Sequence, residues 1–149
     1  MKRGEEARMK IFVCLDEAGG MTFNKRRQSS DRVLRENMLV MIGENLLYVN
    51  DYTAKQFTEE ESIHLLVDEE CLTNGNQGYV FVENMSVGAY LSEIEQIVVY
   101  RWKRKYPADH FFDIDLTTPD WKLTLSEEFI GYSHECIGKE VYERVESTK

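Results

Sequence analysis

Phe23-Asn24-Lys25-Arg26-Arg27-Gln28-Ser29-Ser30 gathers cations and hydrogen-bond donors within a chain whose formal charge is −9. Asp31 follows and opens a run with helical periodicity. Guanidinium forks, hydroxyls and the free N–H groups of a helix start would together hold an anion such as phosphate or carboxylate. The functional reading makes Phe23, Arg26, Arg27, Ser29 and Ser30 ligand-binding residues, with Asp31 at the edge. The bland alternative is a solvated loop with ordinary caps.

Other chemistry-bearing groups are weaker. Trp102-Lys103-Arg104-Lys105-Tyr106 could stack bases and touch phosphates, but it reads equally as a strand end with its cations in solvent. The acidic balance also opposes nucleic acid. His134-Glu135-Cys136 offers two soft ligands, too few for a metal site without partners. Glu59-Glu60-Glu61 and Asp68-Glu69-Glu70 lack the alternation of a calcium loop. No nucleophilic-serine motif, phosphate loop or zinc spacing is present, and Gly19-Gly20-Met21 lacks the third glycine of a dinucleotide fingerprint.

These groups must be positioned by a chain of 149 residues, of which 42% are hydrophobic. That suits one ordinary domain with a core of its own. We expect a charged extension over residues 1–8 and a single domain over 9–149. No apolar run approaches the ~20 residues of a membrane span. Three widely spaced cysteines, Cys14, Cys71 and Cys136, fit a reducing compartment, and the expected location is the cytoplasm.

Strand patterns fall at Lys10–Leu15, Leu46–Val49, Ile63–Val67, Tyr79–Val82 and Ile97–Tyr100. A helix is predicted over Ser30–Ile42, capped by Ser29 or Ser30, with Asp31 in its first turn and Gly43 at its stop. Leu34, Met38, Met41 and Ile42 give it a buried face. A second helix is predicted over Ser86–Ile94, capped by Ser86. This alternation implies a parallel sheet with crossover helices. In the last third, Trp121–Leu125 and Ile137–Val145 alternate apolar with polar residues, the signature of an antiparallel hairpin. The expected class is α/β, three-layer, with a mostly parallel central sheet and an antiparallel C-terminal hairpin.

The order of these elements resembles the dihydrofolate reductase family. Ile97–Tyr100, Ala108-Asp109-His110-Phe111-Phe112, Trp121 and Tyr142-Glu143-Arg144 look like that family's closing run of strand, loop, tryptophan-led strand and last strand. Gly20-Met21, Phe23 and Asp31 resemble its opening. Val49-Asn50-Asp51-Tyr52-Thr53 falls where the family has a strand followed by a Gly-Arg-x-Thr segment. The resemblance implies that Asp31 is the carboxylate that clamps an amino-pyrimidine ring and that Thr53 belongs to the ligand site.

Departures accompany it. The family holds the pyrophosphate of NADPH on a Gly-Gly pair after a strand, where this chain has Glu83-Asn84. Asp51 replaces the cation of the Gly-Arg-x-Thr segment. Residues from Phe57 to Gly78 look too few for the helix that borders the adenosine. These changes lead us to expect no bound cofactor, and a non-reductase protein holding a small anionic or heterocyclic ligand or a partner. The alternative is an NAD(P)H-dependent reductase of a pteridine or related heterocycle, with Asp31 as ring anchor.

Overall fold

The structure, a computed structural model, describes residues 7–145. Most of the extension expected over residues 1–8 therefore lies outside the described residues.

The centre is strand β1 (Met9–Leu15). Its almost continuous apolar run, broken at Lys10, is buried on both faces, as a central parallel strand requires. Met9, Ile11, Val13 and Leu15 pack to one side with Val80, Val82, Ile97 and Val99. Phe12 packs to the other with Leu34, Met38, Ile42 and Tyr100. Helix α1 (Arg32–Ile42) covers this second side. Gly43 ends it at φ +63°, donating its N–H to the Val40 carbonyl, a conformation that favours glycine.

Beyond α1 come β4 (Leu47–Val49), α2 (Asp51–Ala54), β5 (Leu65–Val67), α3 (Cys71–Asn74), β6 (Tyr79–Phe81) and β7 (Ile94–Arg101), closed by β9 (Trp121–Phe129) and β10 (Ile137–Arg144). The seven-stranded sheet runs β5-β4-β6-β1-β7-β10-β9. Pairs from β5 to β7 are parallel, and β10 is antiparallel to both β7 and β9. This is the expected mixed sheet with its C-terminal hairpin. A three-stranded sheet carries β2 (Gly20–Phe23) between β3 (Arg26–Arg27) and β8 (His110–Phe111). No helix among the described residues is long and apolar enough to cross a membrane.

Three expectations are corrected. Asp31, rather than Ser29 or Ser30, is the N-cap of α1: its φ is −155°, and its side chain accepts from the Val33 and Leu34 N–H groups. The helix expected over Ser86–Ile94 is a 3-10 segment, Gly88–Glu93, without a side-chain cap. There the Asp113 carboxylate takes the N–H groups of Val87 and Gly88, Leu91 is 39% exposed, and Ile94 belongs to β7. Extended pairing with the central sheet outweighs the i, i+3, i+4 pattern. Finally, Phe23–Arg26 is a tight hairpin turn rather than a loop. Asn24 and Lys25 sit at φ +52° and +65°, the left-handed geometry that two-residue hairpins need.

Candidate functional site

The crevice of an open parallel sheet lies beyond the carboxyl ends of its strands, where successive connections leave in opposite directions. Here the chain runs out from β1 to β4 and β5, returns through β6 and then crosses β1 to β7. Asp16, Asn50, Glu83 and Trp102 follow the ends of β1, β4, β6 and β7, and the β2–β3 hairpin lies against them.

Asp16 is fully buried and ties the hairpin down. It accepts from the Ala18, Gly20 and Tyr106 N–H groups and from Gln28 Nε2. Burial would raise its pKa, yet these donors hold it below the ordinary value. Gly20 is required here, because a Cβ would stand 2.5 Å from Ala108 Cβ and 2.8 Å from Gln28 Nε2.

Arg27 turns from the hairpin onto Glu83. Its Nε and Nη2 donate to the two carboxylate oxygens at 2.8 and 2.9 Å. Nη2 also reaches the Tyr52 carbonyl, and the guanidinium lies 4.5 Å from the Tyr52 ring centre. Thr53, fully buried, donates its hydroxyl to the same Glu83 at 2.9 Å. Burial would lower the Arg27 pKa, but the hydrogen bonds and charge of Glu83 raise it above its ordinary value. Burial, then the Glu83 charge, pushes the nearby Cys14 thiol well above its ordinary value.

Asp31 is saturated by its own chain. Oδ1 accepts from Val33, Leu34 and Tyr132 N–H groups, and Oδ2 from the Ser133 N–H and hydroxyl and from His134 Nδ1 at 2.7 Å. Its side chain is 0% exposed. Burial alone would raise its pKa, but the Tyr132 and Ser133 N–H groups and His134 hold it far below the usual carboxylate range. The turn at Gly131 presses on the carboxylate so closely that a Cβ there would lie 2.6 Å from Oδ2. Asp31 is thus a latch between α1 and the turn joining β9 to β10.

His134 links this latch to the basic segment. Its Nε2 lies 2.8 Å from Ser29 Oγ, and its ring stacks on the buried Trp102 at 4.7 Å between centres. An ionised carboxylate can only accept, so Nδ1 carries a proton, and in the neutral imidazole Nε2 is then the acceptor for the serine hydroxyl. Clefts of about 570 Å³ flank this chain of contacts. One is lined by Phe23, Arg26, Arg27, Gln28, Tyr106 and Pro107. The other is lined by Trp102 to Arg104 and Ser133 to Cys136.

Comparison with known proteins separates fold from family. No family model matches the chain, and no curated protein does so either. Among solved structures, the chain is similar to the dihydrofolate reductase of Enterococcus faecalis complexed with NADP(H) and RAB-propyl. The TM-score is 0.66 at 12% identity, covering 93% of this chain and 97% of that one. The fold is dihydrofolate reductase-like.

Within that fold, the expected site residues divide. Phe23, Arg26 and Arg27 share one cleft, with Phe23 and Arg26 exposed. Arg27 is engaged by Glu83, so it is no free cation, and the Glu83 carboxylate is occupied by Arg27 and Thr53. Thr53 joins that pair. Ser29 and Asp31 meet through His134, while Ser30 is exposed. The ring-anchor role of Asp31 is left without a free acceptor, since a carboxylate offers about four lone-pair sites. His134 had drawn notice only as half of a soft-ligand pair; among the described residues no group of three or more His, Cys, Asp or Glu could hold a metal ion. It lies 105 residues from Ser29, and no local motif marks that meeting.

Proposed function

We propose that the chain is a non-reductase protein that binds a small anionic ligand in the cleft bounded by Phe23, Arg26, Gln28 and Tyr106. The observation that carries this reading is the Arg27–Glu83–Thr53 cluster. It brings together the two segments from which a nicotinamide cofactor's phosphates would be held on the reductase reading. Around it the residues present do not fit such a group. Asp51 is exposed and pairs with Lys55 at 3.2 Å, and Glu69 caps the Asp51 N–H. Phosphates brought there would meet carboxylates and a backbone already covered by side chains.

Arg26 is the cation left for the ligand. It lines the cleft and makes no ion pair with any described residue; Ser29 and Ser30 follow closely in sequence, and their N–H groups have no acceptor among the described residues. The aromatic walls supply apolar contact. Calorimetric titration with inorganic pyrophosphate tests this reading. Arg26→Ala should weaken binding about tenfold, the loss of one charge-assisted hydrogen bond. The unfolding midpoint should not move, because an exposed arginine contributes little to the core. Equal affinity in both proteins would refute the cleft.

A further inference from the structure

Ser29, His134 and Asp31 form one hydrogen-bonded line: hydroxyl to Nε2 at 2.8 Å, then Nδ1 to carboxylate at 2.7 Å. We infer that this line is a serine nucleophile with its general base, and that the chain cleaves a small carboxylic ester whose acyl part carries a negative charge. The substrate class rests on the anion-cleft reading; the nucleophile rests on this geometry alone.

Three observations support the assignment. Ionised Asp31 selects the Nδ1–H tautomer of the neutral imidazole, in which Nε2 can take a proton from Ser29. The ring is also fixed in orientation, stacked on buried Trp102, with only 13% of its side chain exposed. Ser29 is partly accessible and follows Gln28, which lines one cleft, while His134 lines the other. On this assignment the substrate lies between the two clefts, with its carbonyl at Oγ. The unclaimed N–H groups of Ser29 and Ser30 are the available donors for an oxyanion, and Arg26 is the available partner for an anionic acyl chain.

The step balances without a further reactant. Ser29 Oγ bonds to the carbonyl carbon as its proton passes to Nε2. The carbon–oxygen bond to the leaving alcohol breaks, and that oxygen takes the proton from Nε2. Water then hydrolyses the acyl-serine, with Nε2 again receiving and returning the proton. Asp31 touches no reacting atom and is a positioning residue. Its role is read by [15N]histidine NMR, where the Nδ1–H tautomer of His134 should dominate in the native chain and lose that preference in Asp31→Asn.

A fluorophosphonate probe followed by intact-mass and peptide analysis tests the nucleophile. The expected result is one adduct, on Ser29, with fluoride displaced. Ser29→Ala should abolish it, and His134→Gln should slow it about 10²–10⁴-fold, the usual contribution of a general base. With 4-nitrophenyl esters, the hemisuccinate should be cleaved faster than the acetate, and Arg26→Ala should erase that preference. No adduct on Ser29 in the folded chain, or equal labelling of His134→Gln, overturns the nucleophile even if pyrophosphate binds at Arg26. Labelling of Ser29 without pyrophosphate binding or a hemisuccinate preference upholds the nucleophile and removes the anionic substrate.

Discussion

Asp31→Ala should destabilise the fold by about 3–5 kcal/mol, the cost of breaking a buried charged network by removing one partner. The substitution strips the helix cap from α1 and leaves the N–H groups of Tyr132 and Ser133, and His134 Nδ1, without their acceptor. The turn from Gly131 to His134 should loosen, because it closes onto α1 through that carboxylate. Urea unfolding reads the first effect, and hydrogen exchange at residues 131–134 reads the second. The pH dependence follows from the sign of the shift. Asp31 has a lower pKa folded than unfolded, so its stabilisation is complete above the unfolded value near pH 4 and is lost as pH falls through the folded value. Asp31→Asn should flatten that acid limb. A loss under 1 kcal/mol with an unchanged acid limb would mean that the latch is incidental.

Glu83→Ala should cost a similar ~3–5 kcal/mol, since it leaves the Arg27 charge and the Thr53 hydroxyl without their shared acceptor. Glu83 is 6% exposed and the Arg27 side chain 23%, so solvent can replace little of what is lost. The informative comparison is the double variant Arg27→Met with Glu83→Leu. Apolar replacement of a whole buried pair is often nearly neutral, so the double variant should recover most of the stability lost by the single one. The coupling between the two positions should lie in the range of about 0.5–3 kcal/mol found for residues in one network. Strict additivity would show that the two side chains act independently and that the cluster is no unit.

The backbone architecture was legible because its signals are periodic. The nearly unbroken apolar run of β1, the buried stripe of α1 and the alternation of β9 and β10 each match one geometry. Gly43 could be read as a stop for the same local reason. The site was legible only in part. The basic segment announced itself by composition, but nothing local showed that Arg27 would turn onto Glu83 or that Asp31 would be closed over by residues 131–134. These are contacts across 56 to 103 residues, set by sheet order rather than by spacing along the chain. The helix predicted after Ser86 failed because Ile94 to Gln96 serve the central sheet. The hairpin at Asn24-Lys25 was missed because no glycine marks its left-handed turn.

The proposal that this dihydrofolate reductase-like fold works without a nicotinamide cofactor is tested most directly by calorimetric titration of the purified chain with NADPH at sub-millimolar concentration, with equilibrium unfolding run in parallel. The predicted result is no saturable heat and no stabilisation. Micromolar binding, with the gain of about 2.7 kcal/mol that a ligand 100-fold above its Kd confers, would contradict the account and restore the reductase.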